Sequence, residues 1–392
     1  MNQKKVLTVF GTRPEAIKLA PVIAELRAHA PRIRVINVVS GQHRELLRPF
    51  IELFRLQVDH DLAVMQPEQT PAQTCSRILE SLDPVLELER PHLVLVQGDT
   101  TTVLAGALAA FYRRIPVGHV EAGMRSGDAL SPFPEEMNRR VVTRLATYHF
   151  AATEGNRAAL LAEGVPESQI FLTGNPVVQA LRDLLLSGPA PTSGAAAILE
   201  ATAACRRIVL TTHRRESFGA TMEANMKVIR QFVEAHSDVA LIFPVHLNPR
   251  VAGPARSILG GHPRIHLTEP LRYEDFILLL SQAWLILSDS GGVQEEAPSL
   301  GKPVLVLREN TERPEALTAG VARLTGGDPR VLASLLEETY RDGRWVEQVR
   351  AMKNPFGWED SGRRIAHAVA ALLGHNGNHP RPLAGALHEG QA

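Results

Sequence analysis

The sequence contains little cysteine and no excess of charge of either sign, and each shortage excludes a class of protein. Cys75 and Cys205 are the two cysteines among 392 residues. They are isolated and form no CxxC motif, which excludes a disulfide framework and indicates a reducing compartment. The 42 lysines and arginines are balanced by 42 aspartates and glutamates. A protein that mainly neutralises nucleic-acid phosphates would be strongly basic, so we expect no nucleic-acid partner.

Long apolar runs and a leader segment are also lacking. No uninterrupted apolar run has the length needed to cross a membrane. The N-terminal residues MNQKKV lack the apolar core and small-residue cleavage site of a secretory signal. We therefore expect a cytoplasmic protein with no membrane partner.

Patterns that bind metals are equally scarce, although the chain has 15 histidines. His119 and Glu121 form the first half of a zinc-deaminase signature, but the PCxxC half is missing. No HExxH motif occurs, and the histidines do not cluster at ligand spacing. The sequence predicts neither a metal site nor another cofactor.

What the sequence does contain is an alternation of short apolar runs and longer helical patterns. Such runs are typical of strands buried on both faces, and their alternation with helices predicts parallel sheets in an α/β fold. The predicted strands are Val6–Phe10, Val35–Val39, Leu93–Gln97, Val117–Val120, Ile208–Thr212, Leu241–Val245, Trp284–Ser288 and Val304–Leu307. The predicted helices include Glu15–His29, Gln73–Glu89, Thr102–Arg113, Met222–Ala235 and Gln294–Leu300.

A shift in composition divides the chain into two halves. Residues Ser187–Ile198 are rich in Gly, Pro, Ala and Ser and are interpreted as a linker or surface loop. A hinge within Asn175–Glu200 would leave two doubly wound domains of similar size. Such folds bind ligands at the carboxyl ends of their strands, and here we expect a cleft between the two sheets. The tail from Gly374 lacks apolar periodicity and is predicted to be disordered.

The first predicted strand runs into a segment suited to binding phosphate. Gly11 permits a tight turn and Pro14 suits the first helical position. Arg13 and Lys18 then bring positive charge to the positive end of a helix dipole, which is unfavourable unless an anion lies nearby. The alternative is that these side chains reach solvent or pair with Glu15.

Acidic residues follow two neighbouring strands of the first half. Asp99 and Glu121 come after strands separated by one crossover helix, so both carboxylates are expected at the same sheet edge. Glu135 lies in a proline-stiffened segment that enters a helix. Carboxylates paired in a partly desolvated cleft can divide acid and base roles. The alternatives are that Asp99 caps the next helix and that Glu135 is a first-turn acid.

Strand ends in the second half carry a second set of polar residues. His213 and His246 each follow a predicted strand, and His213, which is followed by two arginines, has the stronger support as a site residue. The alternative for a lone histidine is a structural role. The segment Ser290-Gly291-Gly292 offers backbone N–H groups to a phosphate, while Glu296, one turn later, suits two sugar hydroxyls. A plain Ser-capped helix is the alternative.

Arg313 follows the next strand and is predicted to clamp a phosphate; the alternative is a surface ion pair with Glu312 or Glu315. Together these residues indicate a ligand with phosphates and sugar hydroxyls, which is the chemistry of a nucleotide sugar.

The sequence also resembles a known family, the non-hydrolysing UDP-N-acetylglucosamine 2-epimerases. The resemblance runs from Val6 to about Leu373 and rests on a set of blocks that is specific in this order. The blocks are FGTRPEAIKLAP, QGDTTTVLA, HVEAGMRSGD, SPFPEEMNRR, TTHRRESFG, PVHLNP and LSDSGGVQEEAPSLGKPVLVLRENTERPEA.

The resemblance implies a GT-B-like fold of two Rossmann-like domains with a cleft between them, and a homodimer. It implies an N-terminal domain of residues 1–175 joined by a returning helix at 363–373, and a UDP-binding domain of residues 176–362, with 374–392 as the tail. It further implies interconversion of UDP-N-acetylglucosamine and UDP-N-acetylmannosamine for bacterial surface polysaccharides.

The resemblance also implies roles for single residues. The catalytic residues would be Asp99, Glu121, Glu135 and His213. The UDP moiety would be held by Arg13, Lys18, Phe276, Ser290, Gly291, Gly292, Glu296 and Arg313. A second substrate molecule that activates some members would lie near Gln42, His43 and His246, although Glu45 and residues 66–70 depart from the pattern of activated members, so we do not expect activation.

The reaction implied is elimination of UDP to a glycal followed by re-addition, and the residues leave open which carboxylate serves which face of C2. The sequence leaves three alternative functions open. A hydrolysing 2-epimerase would trap the same glycal with water, a GT-B glycosyltransferase would use a similar nucleotide-sugar site, and a sensor would bind without turnover.

Overall fold

The computed structural model describes residues 3–42, 44–66, 68–188, 190–212 and 219–374. Two of the predicted site residues, His43 and His213, lie outside the described residues, as does the tail after Gly374. The described residues form two compact units. The first comprises the described residues within Met1–Ala180 and Phe356–Ala392, and the second those within Leu181–Pro355.

The first unit is built on a parallel sheet of seven strands flanked by helices. Its strands are β1 (Lys4–Phe10), β2 (Ile33–Val39), β3 (His60–Asp61), β4 (Leu93–Gln97), β5 (Val117–Ala122), β6 (Tyr148–Ala151) and β7 (Ile170–Leu172), in the order β3-β2-β1-β4-β5-β6-β7. Its helices are α1 (Arg13–Arg27), α2 (Arg44–Leu53), α3 (Pro71–Glu89), α4 (Thr101–Tyr112), α5 (Glu135–Leu145) and α6 (Glu154–Ala162). The helix α7 (Pro176–Ser187) carries the chain into the second unit.

The second unit repeats this plan with a parallel sheet of six strands. Its strands are β8 (Arg206–Thr211), β9 (Val239–Pro244), β10 (Ile265–Thr268), β11 (Leu285–Ser288), β12 (Val304–Val306) and β13 (Ala322–Leu324), in the order β10-β9-β8-β11-β12-β13. Its helices are α8 (Ser193–Ala201), α9 (Ala220–Ala235), α10 (Pro249–Pro254), α11 (Tyr273–Ser281), α12 (Gly291–Glu296), α13 (Pro314–Thr318), α14 (Pro329–Arg341) and α15 (Arg344–Arg350). In the described part of the chain, no helix is long and apolar enough to cross a bilayer.

The last helix, α16 (Ser361–Gly374), belongs to the first unit and packs on α1. A Cβ atom at Gly362 would lie 2.9 Å from Pro21, so the absence of a side chain sets how closely the two helices approach. Gln179 on α7 accepts the N–H of Gly362 at 2.8 Å. Helix α16 is thereby held against both α1 and α7.

Every strand predicted from the sequence is present, and the five that the prediction missed lie at or near sheet edges. The missed strands are β3, β6, β7, β10 and β13. The central strands β4 and β5 are buried along their whole length, which produces the apolar run on which the prediction relied. The shorter β10 and β13 carry partly exposed residues, and their sequences show no such run.

The interpretation of one segment as a linker or surface loop was wrong. The segment Ser187–Ile198 is not a loop throughout, because α8 begins at Ser193. Thr192 caps this helix by accepting the N–H of Ala195, and the alanines that suggested a linker are strong helix formers. Proline and glycine therefore mark only the first part of this segment as irregular.

The chain passes between the two units twice, and within the first unit these two passages pack backbone against backbone. Gly174 and Gly357 both have positive φ angles, +78° and +133°. A Cβ atom on Gly357 would lie 2.4 Å from Gly174 Cα and 3.0 Å from the Asn175 nitrogen. Asn175 donates its backbone N–H to the Phe356 carbonyl at 2.8 Å. Only glycine meets both the steric and the dihedral demands at position 357.

We expect Gly357→Ala to lower the free energy of unfolding by about 2 kcal/mol or more, because a left-handed conformation and a backbone clash are imposed together. Gly343→Ala is the matched control, since a Cβ atom there meets nothing within 4 Å. Denaturant unfolding of both variants measures the difference. Equal stabilities for the two variants would contradict the packing described.

Candidate active site

The polar residues of the first unit gather where β1, β4 and β5 end, at the point where the strand order of the doubly wound sheet reverses. Gly11 follows β1, and a Cβ atom there would lie 2.0 Å from Ser40 Oγ and 2.7 Å from Thr102 Oγ1. These hydroxyls share a hydrogen bond of 2.9 Å, and Thr102 Oγ1 also donates to Gln42 Oε1 at 2.7 Å. Gly11 is therefore required so that the β1–α1 turn can lie against these polar groups.

Glu121 is buried at the end of β5 in an unusual backbone conformation. Val120 pairs with Phe150 and Ala122 with Ala151, which leaves Glu121 as the extra residue of a β-bulge. Its φ is +66°, in the left-handed region that favours glycine. A bulge re-aims a side chain, and strain of this kind is found at functional sites.

Three hydrogen-bond donors from separate parts of the chain hold the Glu121 carboxylate. Lys18 Nζ of α1 forms a buried ion pair with Oε1, and Asn175 Nδ2 donates to the same oxygen at 3.0 Å. Gln97 Nε2, at the end of β4, donates to Oε2. None of these groups can accept a hydrogen bond, so the carboxyl group is the acceptor in all three bonds.

Asp99 lies at the same edge, as predicted, and its carboxylate is oriented by an arginine. Arg139 on α5 donates to Asp99 Oδ2 from Nε at 2.9 Å and from Nη2 at 2.6 Å. Asn138 Nδ2 donates to the Asp99 carbonyl at 2.8 Å. The alternative interpretation of Asp99 as a helix cap is wrong, because Thr100 caps α4 by accepting the N–H of Val103.

His119 supports the turn that leads to Asp99. It is fully buried in β5, and its Nε2 donates to the Gly98 carbonyl at 2.8 Å. Burial lowers the pKa of His119 to about 4, despite the opposing hydrogen bond to Gly98, so the imidazole is neutral at physiological pH. His119 therefore donates to the backbone of this turn and holds it in place.

Glu135 and Glu136 begin α5 but differ in their surroundings. Glu135 is partly exposed. Glu136 is fully buried and accepts from the Ser126 N–H at 3.0 Å, Arg139 Nη1 at 3.1 Å and Arg140 Nε at 3.0 Å. Through Arg139, Glu136 helps to orient Asp99, a role that the sequence analysis did not assign.

Glu15 is a further carboxyl at this edge that the sequence analysis considered only as a partner for Arg13 or Lys18. It accepts the backbone N–H groups of Gly11 and Thr12, the latter at 3.1 Å, and the hydroxyl of Thr100. Burial, reinforced by the nearby charge of Asp99, raises the pKa of Glu15 to about 7, although these hydrogen bonds oppose the shift. The spacing of Thr12 and Glu15 matches a capping box, so the sequence did contain a signal for this arrangement.

The two cations predicted to bind phosphate at this turn occupy different environments. Arg13 is exposed, and its guanidinium carbon lies 5.9 Å from the centroid of the Phe50 ring. Lys18 is buried and forms the ion pair with Glu121 described above. Neither pairs with Glu15 among the contacts of the described residues, and the ion pair of Lys18 joins the start of α1 to Glu121.

In the second unit, the corresponding edge lies where β8 and β11 end, again at the point where the strand order reverses. Asp289 follows β11, is fully buried and accepts from Thr212 Oγ1 at 2.8 Å. Ser288 Oγ lies 2.7 Å from Thr211 Oγ1 and accepts the N–H of Ser290 at 3.0 Å. These bonds tie the β11–α12 turn to the end of β8.

Ser290 occupies the N-cap position of α12, yet within the described residues its side chain makes no capping hydrogen bond. The alternative interpretation, in which the Ser290 side chain caps the helix, therefore lacks the capping hydrogen bond that it requires. A Cβ atom at Gly292 would meet only Ser290 Oγ, at 3.8 Å, so nothing in the described structure crowds that position. Gly291 differs, because its Cβ atom would lie 2.5 Å from the Arg313 guanidinium.

Arg313 is buried in a network of ion pairs over the start of α12. Its Nε donates to Glu295 at 2.9 Å and its Nη1 to Glu312 at 2.5 Å. Glu312 also accepts from Arg308 Nη1 at 2.8 Å. The predicted alternative of an ion pair with Glu312 is thus present, but it is buried and fixes the guanidinium beside Gly291.

The remaining predicted residues that the structure describes lie in the second unit, apart from Gln42. Tyr273 on α11 donates its hydroxyl to Glu296 Oε1 at 2.7 Å, and Phe276 on the same helix is half-buried. His246 follows β9, is exposed, and its Nδ1 accepts the N–H of Asn248 at 3.1 Å. Gln42 lies in the first unit and is partly buried.

We expect the stability difference between Glu15→Gln and the wild type to depend on pH. The folded-state pKa of Glu15, about 7, lies above the ordinary value of 4.5. Glu15 therefore contributes stability below pH 4.5 that is lost as the pH rises through 7. The difference should move in favour of Glu15→Gln by about 3 kcal/mol between pH 4.5 and 8.

Denaturant unfolding at several pH values measures this difference, and the pairwise comparison cancels the contributions of other titrating groups. Glu80→Gln, which replaces an exposed carboxyl on α3, is the control. A difference for Glu15→Gln that does not vary with pH would contradict a buried Glu15 with a raised pKa.

Comparison with known proteins identifies the family. The family model described as UDP-N-acetylglucosamine 2-epimerase matches residues 24–370. The UDP-N-acetylglucosamine 2-epimerase of Salmonella typhimurium is 48% identical over 369 residues, which cover 93% of this chain and 98% of that protein.

Solved structures agree with this result. The Neisseria meningitidis UDP-GlcNAc 2-epimerase bound to UDP-GlcNAc is 42% identical, with a TM-score of 0.87 over 95% of this chain and 100% of the other. A Staphylococcus aureus MnaA–UDP co-structure is 40% identical, with a TM-score of 0.88 over 97% and 100%. The two doubly wound parallel sheets and these neighbours confirm the predicted GT-B-like fold class. The chain belongs to the UDP-N-acetylglucosamine 2-epimerase family of isomerases.

Proposed function

We propose that the protein interconverts UDP-N-acetylglucosamine and UDP-N-acetylmannosamine by eliminating UDP and adding it back to a glycal. Family membership and the ligand named for the Neisseria meningitidis structure support the substrate. The observation that carries the chemical part of the proposal is the buried Glu121 carboxylate, fixed by Lys18, Gln97 and Asn175 at the edge that also carries Asp99.

The substrate explains why carboxylates are needed. The proton on C2 of the hexosamine has no neighbouring carbonyl, so its direct removal would be very slow. Breaking the C1–O bond builds positive charge at C1 and makes that proton acidic. UDP leaves with the electron pair of the bond, the C2 proton passes to a base, and a C1–C2 double bond remains. Re-addition delivers a proton to the opposite face of C2 and UDP to C1.

Residues of the first unit are proposed to act on the sugar. Asp99, Glu121 and Glu135 would share the proton transfers and stabilise positive charge at C1, as paired carboxylates do in glycosidases. Arg139 and Lys18 keep Asp99 and Glu121 at fixed positions before substrate arrives, and such preorganised charge stabilises a transition state without reorganisation. His213, outside the described residues, is retained as the fourth catalytic residue.

A second group of residues is proposed to hold UDP and the negative charge that develops on it as it departs. The backbone at Ser290 and Gly292 is suited to a phosphate, because nothing in the described structure crowds Gly292. Arg313, held by Glu295 and Glu312, would present its guanidinium beside Gly291. The other proposed UDP-binding residues are Arg13, Lys18, Phe276 and Glu296.

The oligomeric state, the cellular location and the pathway stay predictions. We predict a cytoplasmic homodimer that supplies bacterial surface polysaccharide synthesis. The second substrate site near Gln42, His43 and His246 is a prediction of the same kind. A substrate titration that gives a Hill coefficient clearly above one would contradict our expectation that such a site does not activate this protein.

Proton NMR in heavy water with UDP-N-acetylglucosamine tests the proposed reaction. We expect UDP-N-acetylmannosamine with deuterium at C2 and no net release of UDP. Free N-acetylmannosamine with UDP would instead identify a hydrolysing 2-epimerase. An unchanged spectrum with UDP bound in calorimetry would favour a transferase that lacks its acceptor, or a sensor.

We expect Asp99→Asn and Glu121→Gln to lower kcat by about 10²-fold or more while leaving the Kd for UDP within about threefold, because proton transfer needs the carboxylate and UDP binding does not. Turnover by NMR and UDP binding by calorimetry measure the two quantities. Loss of UDP binding in these variants would overturn the role in proton transfer.

We expect Arg13→Ala to raise the Kd for UDP by about tenfold or more, because a charge-assisted contact with phosphate is removed. Arg27→Ala is the matched control, since Arg27 lies in the last turn of the same helix. Equal Kd values for the two variants would contradict a phosphate contact by Arg13.

A further inference from the structure

Asn175 lies where the two passages of the chain between the units pack together. Its side chain is fully buried, and its backbone N–H donates to the Phe356 carbonyl on the returning passage at 2.8 Å. Its neighbour Gly174 lies within the space that a Cβ atom of Gly357 would need. The backbone of Asn175 is therefore fixed from both sides.

The side chain of Asn175 makes two different hydrogen bonds. Oδ1 accepts the N–H of Val177, the second residue of α7, as a helix N-cap does. Nδ2 donates to Glu121 Oε1 at 3.0 Å. The amide can serve both partners in only one orientation, because a flipped amide would place its oxygen against a carboxylate and its NH₂ against an N–H donor.

Capping alone does not require asparagine at this position. Serine and aspartate cap helices about as well, but serine is too short to keep the second bond and aspartate cannot donate it. The bond to Glu121 is the contact that distinguishes asparagine from other caps. It also joins the carboxylate at the β5 bulge to the place where the two passages meet.

We propose that Asn175 is a positioning residue for the epimerisation, holding the Glu121 carboxylate at the angle the reaction needs. The inference rests on the proposed function. Lys18 and Gln97 supply charge and a second donor, while Asn175 fixes Oε1 relative to a rigid stretch of backbone. Asn175 is thus expected to influence turnover without touching substrate.

Three variants separate positioning from capping. Asn175→Ser keeps the cap and the neutral charge but loses the donor, and we expect kcat to fall about tenfold with KM within about twofold. Asn175→Asp keeps the cap and places a like charge beside Glu121, so kcat should fall further. Asn175→Ala loses both bonds and should lower both stability and kcat.

The measurements are kcat and KM by NMR and the unfolding midpoint of each variant, with the wild type in parallel. Asp328→Asn exchanges one good N-cap for another at α14 and serves as the control. Wild-type kcat in both Asn175→Ser and Asn175→Asp would reduce Asn175 to a helix cap and overturn the inference. A fall in kcat/KM that comes entirely from a higher KM, with kcat unchanged, would overturn the inference as well. A wild type without epimerase activity would instead refute the proposed function.

Discussion

The burial of one carboxylate, that of Glu121, is the constraint on which the organisation of the first unit depends. A carboxylate removed from water is costly unless hydrogen-bond donors or a cation replace the solvent. Here α1 supplies Lys18, β4 supplies Gln97, and the residue before α7 supplies Asn175. Satisfying one side chain therefore fixes three elements relative to the end of β5.

The same requirement explains the surrounding carboxyl groups. Asp99 is paired with Arg139, and Arg139 is paired in turn with the buried Glu136. Glu15 accepts two backbone N–H groups at the start of α1 and the hydroxyl of Thr100. Each acid at this edge has its own set of donors, so each carboxyl group is held in its own position although all lie at one edge.

In the second unit, too, a charged side chain is held in place by buried partners. Arg313 is held by Glu295 and Glu312 beside Gly291, and the absence of a side chain at Gly291 makes room for its guanidinium. In the first unit, Gly11 likewise allows a turn to lie against the hydroxyls of Ser40 and Thr102. In both units a glycine after a strand permits close approach, and buried partners preorganise the polar groups.

The central strands and the shared sheet edge of Asp99 and Glu121 could be predicted from the sequence. The contacts that hold these two carboxylates depend on how distant parts of the chain meet in the fold. The apolar runs of central strands such as β4 are continuous because both faces are buried, whereas β10 and β13 lie at edges and have no such run. That Asp99 and Glu121 share an edge follows from their places after neighbouring strands. Their partners Arg139 and Asn175 lie 40 and 54 positions away along the chain, and no local pattern connects residues at such distances.

The central claim is that carboxylates on the first unit act on a sugar whose C1–O bond breaks and re-forms. UDP-N-acetylglucosamine labelled with ¹⁸O at the oxygen that bridges C1 and the β-phosphorus tests this directly. If UDP departs, its β-phosphate can rotate before re-addition, so we expect the label to appear in non-bridging β-phosphate positions while the epimer forms. Epimer that forms with the label retained entirely in the bridge would give no sign that the C1–O bond breaks, and would contradict the account.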